Sequence, residues 1–258
     1  MTTSAERFDD LAANYADSEV HASSPTLERL HALLSASAPG AVCDIGSGAG
    51  HAGLSFAGKA RRIVAVDPAP KMLAEVRRLA GERGAEGVEV VEASAEDVPL
   101  DDESFDLVLC RLAAHHFENV TGALKEMIRL AKVGGHIAVI DLEGDDDPDL
   151  DELNYDIEAL HDPTHVRSYP ASQWREWFTE HGLHIEACEP RQSEHPGGLT
   201  IRRWCELGGS GAKALKQIRA LLNTTPEEVL EELDIVKEGK SEYRIPVRTL
   251  LIVGRKVG

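Results

Sequence analysis

Basic residues are scarce in this chain: 27 lysines and arginines stand against 45 aspartates and glutamates, a formal net charge of −18 over 258 residues. Nucleic-acid binders need a cationic face to displace counterions. Arg61-Arg62 and Arg202-Arg203 are too sparse to make one, so no nucleic-acid partner is expected. Long apolar runs are missing as well. None approaches the roughly 18 residues of a transmembrane helix, so no membrane partner is expected. Residues 1–15 carry no apolar core or cleavage signature, so no secretory signal peptide is expected either. The four cysteines, Cys43, Cys110, Cys188 and Cys205, lack C-x-x-C spacing. They read as packing residues of a cytoplasmic protein rather than disulfides or metal ligands. There is no G-x-S-x-G elbow, no H-E-x-x-H and no P-loop. No activated nucleophile is announced, and no internal repeat appears.

Against these absences stands one stretch, residues 41–51, reading A-V-C-D-I-G-S-G-A-G-H. Ala41 to Ile45 is a short apolar run broken by Asp44, the pattern of a buried strand. Gly46, Gly48 and Gly50 follow at alternate positions. Glycine has no Cβ and accepts positive φ, so a ligand can approach such a turn closely. The dinucleotide fingerprint would need its third glycine at position 51, where His51 stands. A carboxylate at the strand end, Asp44, suits a ligand bearing an ammonium group better than a pyrophosphate. The stretch therefore favours an amino-acid-bearing nucleotide over NAD. No Tyr-x-x-x-Lys pair follows to support an NAD-dependent oxidoreductase.

Further motifs follow in order. Arg62 to Asp67, R-I-V-A-V-D, reads as a second strand, and Asp67 follows Gly50 by 17 residues, where a ribose-binding carboxylate belongs. S-A-E-D-V-P-L, Ser94 to Leu100, precedes the strand-like S-F-D-L-V-L of Ser104 to Leu109. H-I-A-V-I-D-L, His136 to Leu142, follows a Gly134-Gly135 turn. These motifs together resemble the class I S-adenosylmethionine (SAM) methyltransferases. The resemblance covers residues 8–190. It implies an α/β fold: a Rossmann-like, seven-stranded, mostly parallel sheet with N-terminal helices and a helical cap after the fifth strand. The seventh strand would insert antiparallel beside the fifth. SAM is the implied cofactor and S-adenosylhomocysteine the product. A SAM-binding protein of this fold with another role would keep the same motifs.

The resemblance also distributes roles. Asp44, Gly46, Ser47, Gly48 and Gly50 would form the cofactor turn. Asp67 and Pro68 would reach the ribose, Met72 would pack on the adenine, and Ala95 and Glu96 would meet its edge. Many family members carry Asp where Ser94 stands. Residues 4–19 form an amphipathic pattern with Phe8, Leu11 and Tyr15 on one stripe. In the family such a segment covers the cofactor, making Tyr15 a cofactor contact and Ser18 and His21 pocket candidates. Ser24-Pro25 reads as a helix start.

Arg111-Leu-Ala-Ala-His115-His116-Phe117 ends the fourth strand, where ligands lie in open parallel sheets. It resembles the R-x-x-x-H-H-F of methyltransferases near the ubiquinone and menaquinone biosynthesis group. Arg111 and His116 are assigned to the cofactor. His115, the freer of the two histidines, is a candidate general base near neutral pH; the alternative for His116 is a local bond that shapes the turn.

The substrate side is expected after the fifth strand. Glu143 to Glu152, E-G-D-D-D-P-D-L-D-E, lacks the EF-hand pattern and reads as a solvated loop entering a helix, with no metal expected. His161 to Tyr169 resembles a D-P-S/T-H-x-R segment of some of these enzymes. His165, a second catalytic candidate, Arg167 and Tyr169 are therefore placed on the substrate side. Alternatively Asp162, His165 and Arg167 pair with one another to hold the loop. Residues 1–38 are expected as an N-terminal cover, 39–142 as the cofactor core, 143–182 as the cap and 183–258 as C-terminal strands and helices of the same domain. Thr225 is expected to cap a short helix, and Tyr243 to Lys256 to form one long strand. The expected activity is in-line methyl transfer to a small organic acceptor.

Overall fold

The central sheet grows outward from Ala41–Ile45 (β1), four of whose five side chains are buried. A strand covered on both faces is the mark of a parallel sheet with helices on each side. The computed structural model describes residues 3–16 and 24–258. Arg62–Asp67 (β2) pairs with β1 in parallel, and Val88–Glu92 (β3) adds to β2. Phe105–Arg111 (β4) takes the opposite side of β1, followed by Ala131–Leu142 (β5). The strand order therefore reverses at β1, opening a crevice at the carboxyl ends of β1 and β4.

Leu183–Ser193 (β6) forms the far edge. Leu199–Thr200 (β7), Val236–Glu238 (β8) and Glu242–Ile245 (β9) leave the main sheet and make a three-stranded antiparallel one. Arg248–Lys256 (β10) returns between β5 and β6, antiparallel to both, and completes the seven-stranded sheet. The expected single strand from Tyr243 to Lys256 is thus two strands in two sheets. Pro246 has no N–H to give a ladder, and Val247 takes a left-handed φ of 47°. The chain breaks there.

Ser4–Ala16 (α1) and Pro25–Leu33 (α2) precede the sheet. Ser24 caps α2 as expected, its hydroxyl accepting from Leu27 N at 3.2 Å, with Pro25 in the first turn. His51–Leu54 (α3) and Pro70–Glu82 (α4) follow β1 and β2. Leu27 and Leu30 of α2 join Phe56, Val42, Leu107 and Ile140 in one buried layer. Val120–Leu130 (α5) packs the other face, where Leu124 and Met127 meet Cys43, Val64 and Val108.

Pro148–His161 (α6) and Ala171–Glu180 (α7) follow β5. The acidic loop before α6 is occupied structurally. Asp147 caps the helix, accepting from Asp149 N at 2.9 Å, while Asp145 holds Arg248 at 2.7 Å. Ile201–Leu207 (α8), Gly211–Thr224 (α9) and Glu227–Glu232 (α10) lie between β7 and β8. Thr225 does not cap α10. Its hydroxyl donates back to Leu221 O at 3.1 Å, and Pro226 stands at the cap position.

The cap is larger than residues 143–182. Leu150 and Ile157 of α6 share a separate core with Trp204 of α8, Ile218 of α9 and Tyr243 of β9. Two insertions, one after β5 and one after β6, therefore close over the crevice together.

Candidate active site

The floor of the crevice is the turn after β1. Gly46 (φ +64°), Gly48 (+50°) and Gly50 (+84°) all lie in the left-handed region that only glycine enters freely. At Gly46 the requirement is also steric, since a Cβ would fall 2.6 Å from Ala113 Cβ beyond β4. At Gly50 it would meet Val76 of α4 at 2.9 Å. At Gly48 the nearest side-chain atom would be Met72 Sδ, 4.0 Å away, so bare backbone faces open space. The Gly48 N–H donates to Asp67 Oδ2 at 2.8 Å, and the other Asp67 oxygen accepts from Ala69 N at 2.9 Å. Bare backbone thus lies open between a carboxylate and a buried thioether.

Asp44 stands behind this turn. It is 1% exposed, its Oδ2 accepts from Gly53 N at 2.7 Å, and it does not line the cavity. Burial pushes its carboxyl up to about 7. In this geometry its carboxylate holds α3 against β1. Gly50 likewise acts through packing on α4 rather than from the cavity wall.

Above the glycine turn lies a cavity of about 690 Å³, within the range of ligand pockets. Tyr15, Gly46, Ser47, Gly48, Asp67, Pro68, Met72, Ala95, Glu96, Arg111, His115, His116 and His165, all singled out in the sequence, line it. Arg167 and Tyr169 do not. Arg167 is exposed and pairs with Asp151 at 3.0 Å, while Tyr169 packs edge-on against Trp177 at 4.9 Å. His21 and Ser18 lie outside the described residues.

Leu112 turns the chain out of β4 with a left-handed φ of 52°, its N–H donating to Ile140 O at 2.8 Å. Such a residue costs of order 1–3 kcal/mol and persists only where its surroundings enforce it. The turn delivers His115 to Asp141, near the end of β5. The carboxylate accepts from His115 N at 2.7 Å and from His115 Nδ1 at 2.6 Å. His115 is therefore not the freer histidine; it is locked. A carboxylate can only accept here, so Nδ1 carries the proton and Nε2 is left with its lone pair. Burial opposes protonation of His115, but Asp141 outweighs it and raises the imidazole above its ordinary value.

His116 does bond locally, its Nδ1 donating to Thr164 O at 3.0 Å, and its ring meets Phe8 of α1 edge-on at 4.9 Å. Burial, then the neighbouring His115, pushes it down to about 4, so it is neutral. His165 is 7% exposed and stacks on His115 at 5.4 Å. Both its ring nitrogens lack a partner among the described residues. Burial, then His115 and His116, holds it down to about 3. The expected mutual pairing of Asp162, His165 and Arg167 is absent. Asp162 instead binds Arg7 of α1 at 3.1 Å and accepts from Thr164 N at 2.8 Å.

Several site residues have roles that carry no sequence signal. Asp141 is the acid that ends the fifth-strand motif G-G-x-I-x-V-x-D/E, but its bond to His115 is not legible there. Glu158 is 8% exposed on α6, lines the cavity, and is pushed up to about 7 by burial. Glu194 binds both Thr26 and Arg111, whose side chain is 5% exposed. His51 donates from Nε2 to Tyr15 O at 3.0 Å and ties α1 to the glycine turn.

A doubly covered sheet with its order reversed at β1, a glycine turn and Asp67 at the end of β2 define a nucleoside-binding α/β protein of class I methyltransferase architecture. A family model described as a methyltransferase domain matches residues 43–139. The chain is 32% identical over 252 residues to YcgJ of Bacillus subtilis, an uncharacterized methyltransferase, covering 96% of this chain and 97% of YcgJ. The crystal structure of YcgJ matches with a TM-score of 0.78 over 90% of this chain and 98% of that one, at 30% identity. The malonyl-[acyl-carrier protein] O-methyltransferase of Methylococcus capsulatus is 32% identical over 216 residues, 81% of this chain and 73% of that protein. The chain belongs to the class I SAM-dependent methyltransferases. It is an enzyme of SAM-dependent methyl transfer.

Proposed function

We propose that the acceptor is a small organic molecule received in the cap side of the cavity, and that His115 takes the proton it must lose. The observation that carries this is the Asp141–His115 pair at 2.6 Å, which commits Nδ1 and turns the neutral imidazole into a base at Nε2. The methyl group arrives already activated by a positive sulfur, which is the chemistry SAM supplies when bound. The protein then has to align the two partners and handle one proton. Alignment can supply up to about 7–11 kcal/mol, and a positioned base adds about 10²–10⁴-fold.

Asp67 binds the ribose hydroxyls in this reading, and the Gly46–Gly48 backbone receives the amino-acid tail. Met72 packs on the adenine, with Ala95 and Glu96 at its edge. Tyr15 and Phe8 close over it from α1. A cytoplasmic location belongs to the same reading and is supported by four free cysteines. Among the described residues no helix is long and apolar enough to cross a membrane.

Calorimetric titration of the ligand-free protein with SAM, S-adenosylhomocysteine and NAD tests the cofactor assignment. Micromolar binding of the two sulfur nucleotides, none of NAD, and loss of that binding in a folded Asp67→Ala variant are expected. Unchanged affinity in Asp67→Ala would refute the ribose assignment. His115→Asn should retain the cofactor and lose turnover; full turnover would remove His115 as the base.

A further inference from the structure

Among the described residues, one carboxylate on the cap side of the cavity has no partner. Arg111 on its wall is paired with Glu194, and both side chains are 5% exposed or less. Asp162 is answered by Arg7 at 3.1 Å, and Asp141 by His115 at 2.6 Å. Glu158 projects from α6 into the same space, 8% exposed; its backbone carbonyl accepts from Asp162 N at 2.7 Å, but no hydrogen bond or ion pair from the described residues reaches its carboxylate. The cavity wall around it includes the neutral imidazoles of His165 and of His161, which stacks on Trp204 at 3.7 Å. The Glu158 oxygens open only onto the cavity, and a carboxylate with so little water and no protein partner is unfavourable. Burial accordingly pushes it up to about 7; positive charge on His115 opposes that rise, and the charges of Asp162 and Asp141 add to it. A cation entering this space would reverse the penalty. An anion would meet a paired arginine and an unpaired acid.

We infer that the acceptor is an amine, received as its ammonium form with Glu158 as the counter-ion. This rests on the reading of the cavity as a SAM and acceptor site. The ammonium loses one proton to His115 Nε2, which restores the nitrogen lone pair. That pair forms the new N–C bond to the methyl carbon as the C–S bond breaks, and the C–S electrons remain on sulfur as a neutral thioether. The product nitrogen carries the positive charge beside Glu158. Phenolate or carboxylate acceptors would instead bring negative charge against that carboxylate, which favours nitrogen over oxygen as the attacking atom.

The test is calorimetric titration of the S-adenosylhomocysteine-loaded protein with benzylamine, benzyl alcohol and benzoate, which share size and differ in charge. Benzylamine should bind best. Glu158→Gln, nearly isosteric, should weaken it by roughly tenfold or more, the loss expected when one partner of a buried charge pair is removed. Glu158→Asp should restore part of that affinity, and S-adenosylhomocysteine affinity should be unchanged in both variants. Tighter binding of benzoate or benzyl alcohol, absence of benzylamine binding, or a benzylamine affinity indifferent to Glu158→Gln would overturn the assignment. Failure of the wild-type protein to bind S-adenosylhomocysteine would instead overturn the cofactor reading beneath it.

Discussion

A histidine that has committed one ring nitrogen to a buried carboxylate has only the other to offer a substrate. As the proposed base His115 must be neutral, and Asp141 raises its titration above the ordinary histidine value. Turnover should therefore rise with pH through that raised value. Asp141→Asn should move the rising limb to lower pH and reduce the plateau by about 10²-fold or more; a pH–kcat profile of both proteins checks this. Asp141 is a positioning residue, so its loss should leave SAM affinity intact. Glu158 gives an opposite-signed effect on stability. Its folded-state value lies above its unfolded one, so the folded protein holds the extra proton and stability falls as pH rises from about 4 to 7. Glu158→Gln should match wild type near pH 4 and exceed it above pH 7 by on the order of 3 kcal/mol. Denaturant unfolding across that range measures the difference, and equal curves at pH 8 would mean the carboxylate is not buried alone. Asp141 stands at the acid position of the fifth-strand motif, but nothing there names His115 as its partner; Glu158 is an acid in an amphipathic helix that looks like many others.

Elements, rather than single residues, position the proposed cofactor site. The turn joining β1 to α3 combines a backbone constraint with a close approach, and two alanine substitutions separate them. Gly58, in the separate turn after α3, has a φ of +77° and a Cβ added there would have nothing within 4 Å, so Gly58→Ala should cost only the left-handed strain, about 1–2 kcal/mol. Gly46→Ala adds a 2.6 Å clash with Ala113 Cβ. It should cost more, by about 1–3 kcal/mol of overpacking, and displace the turn from the nucleoside. Comparing thermal unfolding and SAM affinity of the two variants checks the order. α1 is held from outside its own sequence by Arg7 to Asp162 and Gly208 O, His51 to Tyr15 O, and Asp9 to Lys71 N. Arg7→Ala leaves Asp162 without its cation and should destabilise by about 2 kcal/mol, with faster hydrogen exchange over residues 4–16 and weaker SAM binding. The amphipathic stripe of α1 was readable. Its fastenings were not, since each lies in a distant segment.

At the scale of the molecule, the β-strands of the cofactor half follow from short apolar runs bounded by glycine turns and acids, so the strands themselves were legible; their arrangement in the sheet was what the family resemblance implied. The cap was legible only in part. Its core joins α6 to α8, α9 and β9, packing Leu150 and Ile157 on Trp204 and Tyr243 from segments far apart in the chain. Periodicity reports that each helix has an apolar face, never which distant face it meets. Tyr169 and Arg167 illustrate the limit: polar residues in a loop look available, and the fold packed one on tryptophans and turned the other to Asp151.

What the chain determined by itself is local. The glycines that accept left-handed φ, Ser24 at its cap, the alternation of buried strand and amphipathic helix, and Asp67 at a strand end all depend on neighbours in sequence. Only the tertiary structure decided that Asp44 faces inward to α3, that His115 is locked by Asp141, and that the Glu158 carboxylate has no partner among the described residues. Those are balances of charge and burial among residues brought together from different elements, and such balances exist only once the chain has closed around them.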